Sequence, residues 1–167
     1  MFGKILVPLD GSQLAEKVLP HVAALAKAFG SEPTLVTVVE FSLGVAGAKL
    51  EAIPESAAES KAAQRAEAML YLMKVQKDLK DQGVNAAAVA LDGDVASEII
   101  GYAEQKEFDL IAMATHGRSG MDRFIMGSIA EKVLRGAIKP VLLIRAIPVV
   151  PRPVDWRAVA STPGTMA

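Results

Sequence analysis

The sequence predicts a doubly wound α/β domain in which five parallel strands alternate with helices. Short and nearly continuous apolar runs recur along the chain, as in strands that are buried on both faces of a sheet. Segments with apolar residues at helical spacing separate these runs. Because crossovers between parallel strands are right-handed, this alternation favours one sheet with helices on both faces.

The first strand is predicted from Lys4 to Leu9, a short apolar run that ends at the turn Asp10-Gly11. Ser12 is a candidate N-cap for the helix that follows. Apolar residues at helical spacing continue to Phe29, and Gly30 is expected to end this helix. Pro20 lies inside the pattern and is expected to lower the stability of the helix or to kink it.

Four further segments complete the first half of the chain. Thr34 to Val39 is rich in β-branched residues and is predicted to be the second strand. Phe41 to Ser56 lacks a clear period and is predicted to be a long loop. A long helix is expected from Ala57 to Gln82, and a weakly patterned, alanine-rich third strand from Val84 to Leu91.

The second half of the chain continues the same alternation. Gly93-Asp94 opens a helix, and the apolar run Leu110 to Ala114 is the fourth strand. A helical pattern from Ile129 to Arg135 leads to the fifth strand, Val141 to Ile144. The last stretch, residues 146–167, contains four prolines, which excludes a regular helix or a central strand. The chain is therefore expected to form one domain over residues 1–145, followed by a Pro-rich tail or dimer arm.

Two strand ends are expected to meet at one crevice. Doubly wound sheets bind ligands beyond the carboxyl ends of their strands, where the strand order reverses. With the order 3-2-1-4-5, Asp10 at the end of the first strand lies beside Ala114 to Gly117 at the end of the fourth. Asp10 either only stabilises its turn or contacts a ligand, and the second interpretation is favoured by the motif described next.

The segment Ala114-Thr115-His116-Gly117, followed by a helix that opens at Gly127-Ser128, is typical of an anion-binding turn. The first backbone N–H groups of a helix have no partner within it, and the helix dipole adds partial positive charge there. Arg118 and Arg123 lie between the two parts and are either phosphate ligands or a solvated rim. The alternative is that Gly127-Ser128 simply starts a helix.

Composition limits the possible functions. The chain has 167 residues, of which 51% are hydrophobic and 22% charged, and its formal net charge is −1. These values fit one globular domain with a short extension and give no indication of nucleic-acid binding or of attachment to a membrane. The chain has no cysteine, which excludes disulfides and thiolate metal sites. A cytoplasmic protein is expected.

Four segments together resemble the universal stress protein family. They occur in the family's order over residues 1–145, and the Pro-rich tail lies outside the resemblance. These segments are Ile5 to Ser12, Asp109 to Arg118, Gly127-Ser128 and Lys139 to Ile144.

The resemblance implies the nucleotide-binding branch of the family, whose motif is Gly, two residues, Gly, nine residues, and Gly followed by Ser or Thr. Ala114 stands at the first glycine and adds one methyl group near the sugar or base. By the resemblance, Asp10 holds the ribose or the base edge, and Pro8 shapes the wall beside it. Val38 and Met113 line the adenine pocket by the resemblance, and the phosphates are held by Gly117, Gly127, Ser128 and the backbone of Ile129. Arg118 joins the predicted site through its position in the loop over the phosphates.

The function expected from the resemblance is a stress-response or signalling protein that binds an adenine nucleotide, with ATP favoured and Mg²⁺ as an optional companion. Hydrolysis is expected to be slow or absent, because the chain has no Walker A pattern and no evident catalytic base. An adenylating ATP pyrophosphatase is disfavoured, since Leu9 to Ser12 is too short for the required Ser-Gly-Gly-x-Asp-Ser loop. The other alternative is a nucleotide-independent interaction protein of the same family.

A homodimer is expected through the fifth strand. Val141 to Ile144 is entirely apolar and is predicted to lie at a sheet edge, where it favours pairing with a second copy. Members of the family that are similar to this chain commonly dimerise through this strand.

Overall fold

Five parallel strands form one sheet in the order β3-β2-β1-β4-β5, as predicted. The structure is a computed structural model that describes residues 2–40, 55–115 and 127–145. β1 lies at the centre, and the strand order reverses between β1 and β4. The strands are β1 (Lys4–Pro8), β2 (Glu32–Val39), β3 (Ala87–Asp92), β4 (Leu110–Ala114) and β5 (Val141–Ile144).

Helices cover both faces of the sheet, which confirms the doubly wound α/β fold. A short 3-10 helix, Ala15–Val18, leads into α1 (Leu19–Phe29). The other helices are α2 (Glu55–Asp81), α3 (Val95–Gln105) and α4 (Ser128–Gly136). Helices α1 and α2 bury one face of the sheet, and α3 and α4 bury the other.

The alternation of side chains in β1 explains why the core has two halves. Successive residues of a strand point to opposite faces. Ile5 and Val7 pack among residues of α1 and α2, whereas Leu6 packs among residues of α3 and α4. All three side chains are fully buried, so the apolar run that predicted a central strand supplies both halves of the core.

Pro20 does not interrupt α1, because the α-helix begins later than predicted. Ser12, predicted as the N-cap of this helix, instead holds the turn ahead of it: its Oγ accepts the N–H of Ala15 at 3.1 Å, and the N-cap positions are Leu14 for the 3-10 helix and Val18 for α1. The chain then runs through the 3-10 helix, and α1 starts at Leu19, so that Pro20 lies in its first turn. A proline is tolerated there, since the first N–H groups of a helix have no partner within it.

The third strand begins at Ala87 rather than at Val84. Val84 is buried, but its N–H donates to the carbonyl oxygen of Leu79 at 2.9 Å and so belongs to the end of α2. Gly83, with φ of +81°, allows the chain to turn back in this way. The helix terminus therefore accounts for an apolar residue that the pattern assigned to the strand.

Several predictions concern residues outside the described ranges. They are the loop from Phe41 as far as residue 54, the segment with His116, Gly117, Arg118 and Arg123, and the tail over 146–167. Residues 55 and 56, which were predicted to end the loop, belong to α2. No described helix is long and apolar enough to cross a membrane.

Candidate functional site

A cavity of about 310 Å³ lies at the carboxyl ends of β1, β2 and β4, where the strand order reverses. This is the position at which doubly wound sheets bind ligands. Eight of the ten residues singled out in the sequence line it, whereas Gly117 and Arg118 lie outside the described ranges. The eight are Pro8, Asp10, Val38, Met113, Ala114, Gly127, Ser128 and Ile129.

The structure adds lining residues that sequence reasoning missed. Val36 and Glu40 come from β2 and its end, and Val95 and Ile99 come from α3. The β2 pair was detectable in the sequence, because residues two positions from Val38 share its face of the sheet. The α3 pair was not, since no local pattern indicates which part of that helix lies against the cavity.

Backbone hydrogen bonds hold the start of α4 against the end of β4. The N–H of Gly127 donates to the carbonyl oxygen of Thr115 at 2.8 Å, and the N–H of Thr115 donates to that of Ile144 at 2.9 Å. The amide of Gly127 is thus engaged, and the first amides within α4 belong to Ser128, Ile129 and Ala130. These amides have no intrahelical partner and point out of the helix N-terminus, where the dipole favours an anion.

The loop that carries Asp10 is fixed by its own hydrogen bonds. Asp10 Oδ1 accepts the N–H of Ser12 at 3.0 Å, so this aspartate does stabilise its turn. Gly11 adopts a φ of +82°, which a residue with a side chain would enter only with strain. Thr37 Oγ1 donates to the carbonyl oxygen of Leu9 at 3.0 Å and fastens the loop to β2. Asp10 also lines the cavity, so the turn and ligand roles are compatible.

Tyr71 of α2 supports the same loop from the opposite side of the sheet. Its hydroxyl donates to Glu16 Oε1 at 3.1 Å. Burial raises the pKa of the Tyr71 hydroxyl, and the nearby carboxylates of Glu16 and Asp10 raise it further, whereas the backbone amide of Gly11 lowers it. The hydroxyl therefore connects α2 to the 3-10 helix that follows the Asp10 loop.

The walls of the cavity differ in polarity. Apolar side chains of β2, β4 and α3 form most of its lining, as in pockets that accept flat ring systems. Asp10 and Glu40, the two acidic residues of the lining, lie on the β1 and β2 side, and the N-terminus of α4 lies on the β4 side. The cavity is thus suited to a molecule with an apolar ring, hydrogen-bond donors on one side and an anionic group on the other. Among the described residues, no group of three or more histidines and carboxylates converges on a metal position.

The fold and the cavity together define a doubly wound α/β domain with a cavity at the switch point of its parallel sheet. The chain belongs to the universal stress protein family, whose model matches residues 1–145. The family named from the sequence motifs is therefore confirmed.

Two archaeal relatives illustrate the similarity. Universal stress protein MJ0531 of Methanocaldococcus jannaschii is 36% identical over 145 residues, which cover 87% of this chain and 83% of the relative. MJ0577 of the same organism is 32% identical over 156 residues, covering 87% and 96%. The solved structure of MJ0577 superimposes with a TM-score of 0.77 at 29% identity, covering 89% of this chain and 99% of that structure.

Two more distant structures hold nucleotides. A universal stress protein from Archaeoglobus fulgidus in complex with dAMP has a TM-score of 0.57 at 21% identity, covering 87% of this chain and all of that one. A universal stress protein in complex with cAMP has a TM-score of 0.61 at 16% identity, covering 87% and 98%. At these identities the likeness shows the fold, and the nucleotides are those of the other proteins.

Proposed function

We propose that the protein binds an adenine nucleotide in the cavity between β1 and β4, with ATP as the favoured ligand. The observation that carries this proposal is the start of α4 at Gly127-Ser128 in the wall of an otherwise largely apolar cavity. The free amides of a helix start bind phosphate without requiring basic side chains. Relatives of the same fold that hold dAMP and cAMP support an adenine ligand.

In the proposed complex, the phosphates lie on the first turn of α4, near Ser128 and Ile129. Gly127 contributes by having no side chain in front of this turn, since its amide already donates to Thr115. Asp10 accepts a hydrogen bond from the ribose or the base edge, and Val38 and Met113 contact the ring. Mg²⁺ accompanies ATP through phosphate oxygens and water, which does not require a cage of protein ligands.

Calorimetric titration with Mg²⁺–ATP tests this function. We expect saturable binding that is lost in a Gly127→Val, Ser128→Ala double variant and weakened in Ser128→Ala alone. Gly101→Ala is the control, because a Cβ there meets only Gln105 Nε2, at 4.0 Å, outside the cavity. Absence of binding to nucleotide-free parent protein refutes the proposal, as does equal binding in parent and double variant with the fold retained.

Hydrolysis is proposed to be slow or absent, so the bound nucleotide acts as a signal in a stress response and is not turned over rapidly. A product assay decides this point. We expect less than about one turnover per minute, whereas ordinary enzymes reach about 1–1,000 turnovers per second. Rapid release of phosphate or pyrophosphate would instead indicate an enzyme.

A cytoplasmic location is part of the proposal, and cell fractionation tests it.

We also propose a homodimer that forms through β5, with or without nucleotide. Among the described residues, β5 pairs with β4 alone, and each of its four residues is partly exposed. In the segment that precedes β5, Ile138 is 83% exposed and Leu134 is 45% exposed, so apolar surface accompanies a strand edge that no other described strand covers.

Sedimentation velocity at micromolar concentration tests the dimer. We expect Ile138→Lys to yield monomers, because a charge at this exposed position opposes association without disturbing the core. Leu70→Lys is the control, since Leu70 is 69% exposed but lies on α2. A monomeric parent protein refutes the proposal. The second candidate function is that of a nucleotide-independent interaction protein. A dimer that binds no nucleotide would favour it.

A further inference from the structure

Glu40 lies in the wall of the cavity and has no role in the function proposed above. It follows directly after β2, and alternate residues of a strand share one face of the sheet. Val36 and Val38, at the preceding alternate positions, also line the cavity. The carboxylate of Glu40 therefore continues this row of side chains at the exposed end of β2.

The position of Glu40 relative to α4 indicates which part of a nucleotide it meets. β2 is two strands away from β4, and strands of a sheet are about 4.8 Å apart, so the two ends are separated by about 10 Å. Phosphates on the α4 side direct the remainder of the ligand across β1 toward β2. A carboxylate at the β2 end repels phosphate, which favours the same orientation.

An apolar slot leads to Glu40. Val36 and Val38 on β2 and Val95 and Ile99 on α3 belong to one packed cluster and all line the cavity. A flat ring between these side chains has its outer edge near the end of β2. At the neighbouring end of β3, the Asp92 carboxylate is held by Arg65 at 2.7 Å and is not among the lining residues.

We propose that Glu40 determines base specificity by accepting a hydrogen bond from the amino group of a 6-aminopurine. An ionised carboxylate only accepts hydrogen bonds. It therefore binds the amino group of adenine and repels the carbonyl oxygen that a 6-oxopurine, such as hypoxanthine or guanine, carries at the same position. This proposal rests on the proposed nucleotide-binding function and deepens it.

The test compares ATP with ITP in the parent protein and in Glu40→Gln. The two bases differ at the 6-position, an amino group against a carbonyl oxygen, and at N1, which accepts in adenine and donates in hypoxanthine. Tighter binding of ITP than of ATP by the parent protein would place the carboxylate beside N1 and overturn the proposal. Both ligands carry the same phosphates, so any effect of the lost charge on phosphate binding cancels in the ratio of their dissociation constants. Glutamine is the informative substitution, because its amide can accept from the amino group or donate to the carbonyl. Glu32→Gln is the matched control, at the opposite end of the same strand and also exposed.

In the parent protein and in Glu32→Gln we expect ATP to bind about tenfold more tightly than ITP, the effect of one charge-assisted hydrogen bond at an exposed site. In Glu40→Gln we expect this ratio to fall at least fivefold, mainly through tighter ITP binding. An unchanged ratio in Glu40→Gln, with both nucleotides bound, overturns the role of Glu40. If the parent protein binds neither nucleotide, the proposed function fails and the specificity proposal fails with it.

Discussion

Replacing Tyr71 by phenylalanine tests whether α2 stabilises the loop that carries Asp10. The change removes only the hydroxyl that donates to Glu16 Oε1 at 3.1 Å. A hydrogen bond to a charged group contributes about 1.5–3 kcal/mol. Tyr71 and Glu16 are both only partly buried, so water competes for these groups and we expect a loss of about 1 kcal/mol in the free energy of unfolding. A loss of this size lowers Tm by about 2–4 °C in a chain of this length.

The same variant makes a second prediction, for alkaline pH. Burial, followed by the Glu16 carboxylate, raises the pKa of Tyr71 in the folded protein above the ordinary tyrosine value of about 10. Below pH 10 the hydroxyl is protonated in both states and its contribution is complete. Above pH 10 the unfolded state loses this proton first, so the stability of the parent protein decreases as pH rises. Tyr71→Phe lacks this dependence.

Urea denaturation of parent and variant at pH 8, 9.5 and 11 measures both effects. The difference in free energy of unfolding is expected to be about 1 kcal/mol at pH 8 and to shrink at pH 11. Other titrating groups are common to both proteins and cancel in the difference. Equal stability at pH 8, or a difference that stays constant up to pH 11, would refute the role assigned to Tyr71. A double-mutant cycle with Glu16→Gln then measures the pairwise interaction.

Two further predictions concern the core and a helix cap. Leu72 of α2 is fully buried. We expect Leu72→Ala to lower the free energy of unfolding, measured by urea denaturation, by about 2–5 kcal/mol. A loss below about 1 kcal/mol would contradict the place of Leu72 in the core. Asp94 caps α3 by accepting from the side chain and the backbone N–H of Ser97, and these hydrogen bonds lower its pKa. The stabilisation by Asp94 is therefore complete above its ordinary pKa of about 4 and is lost as pH falls through the lower pKa of the folded protein. We expect Asp94→Ala to be less stable than the parent protein at pH 6, with a smaller difference in free energy of unfolding at pH 2.5. A difference that does not depend on pH would count against this cap.

The fold was predictable because buried parallel strands leave a strong signal in the sequence. The runs Leu110–Ala114 and Val141–Ile144 were predicted with the bounds that the structure has. β3 was predicted less well, since its alanines carry little apolar signal and Val84 beside them serves the end of α2. Pro20 was misjudged because the periodic spacing of apolar residues does not distinguish a 3-10 turn from the first turn of an α-helix.

The cavity was only partly predictable. Asp10 and Ala114 were expected to meet because they lie at the carboxyl ends of two strands that adjoin at the switch point, and both line the cavity. Ile99 was missed because its position depends on how α3 packs against β2. Glu40 was within reach of the sequence pattern, because it lies two positions beyond Val38. The engagement of the Gly127 amide by Thr115 is likewise tertiary information, because the two residues are separated by eleven others.

We expect an adenine nucleotide to lie in the cavity with its phosphates on the first turn of α4. A two-dimensional ¹H–¹⁵N NMR titration of the labelled protein with Mg²⁺–ATP measures this placement residue by residue. Saturable shifts of the Ser128, Ile129 and Ala130 amides are expected, together with shifts at the ends of β1 and β2. Shifts confined to other surfaces, such as a second groove lined by Lys77 and Lys80, or no shifts at millimolar nucleotide, would rule this placement out.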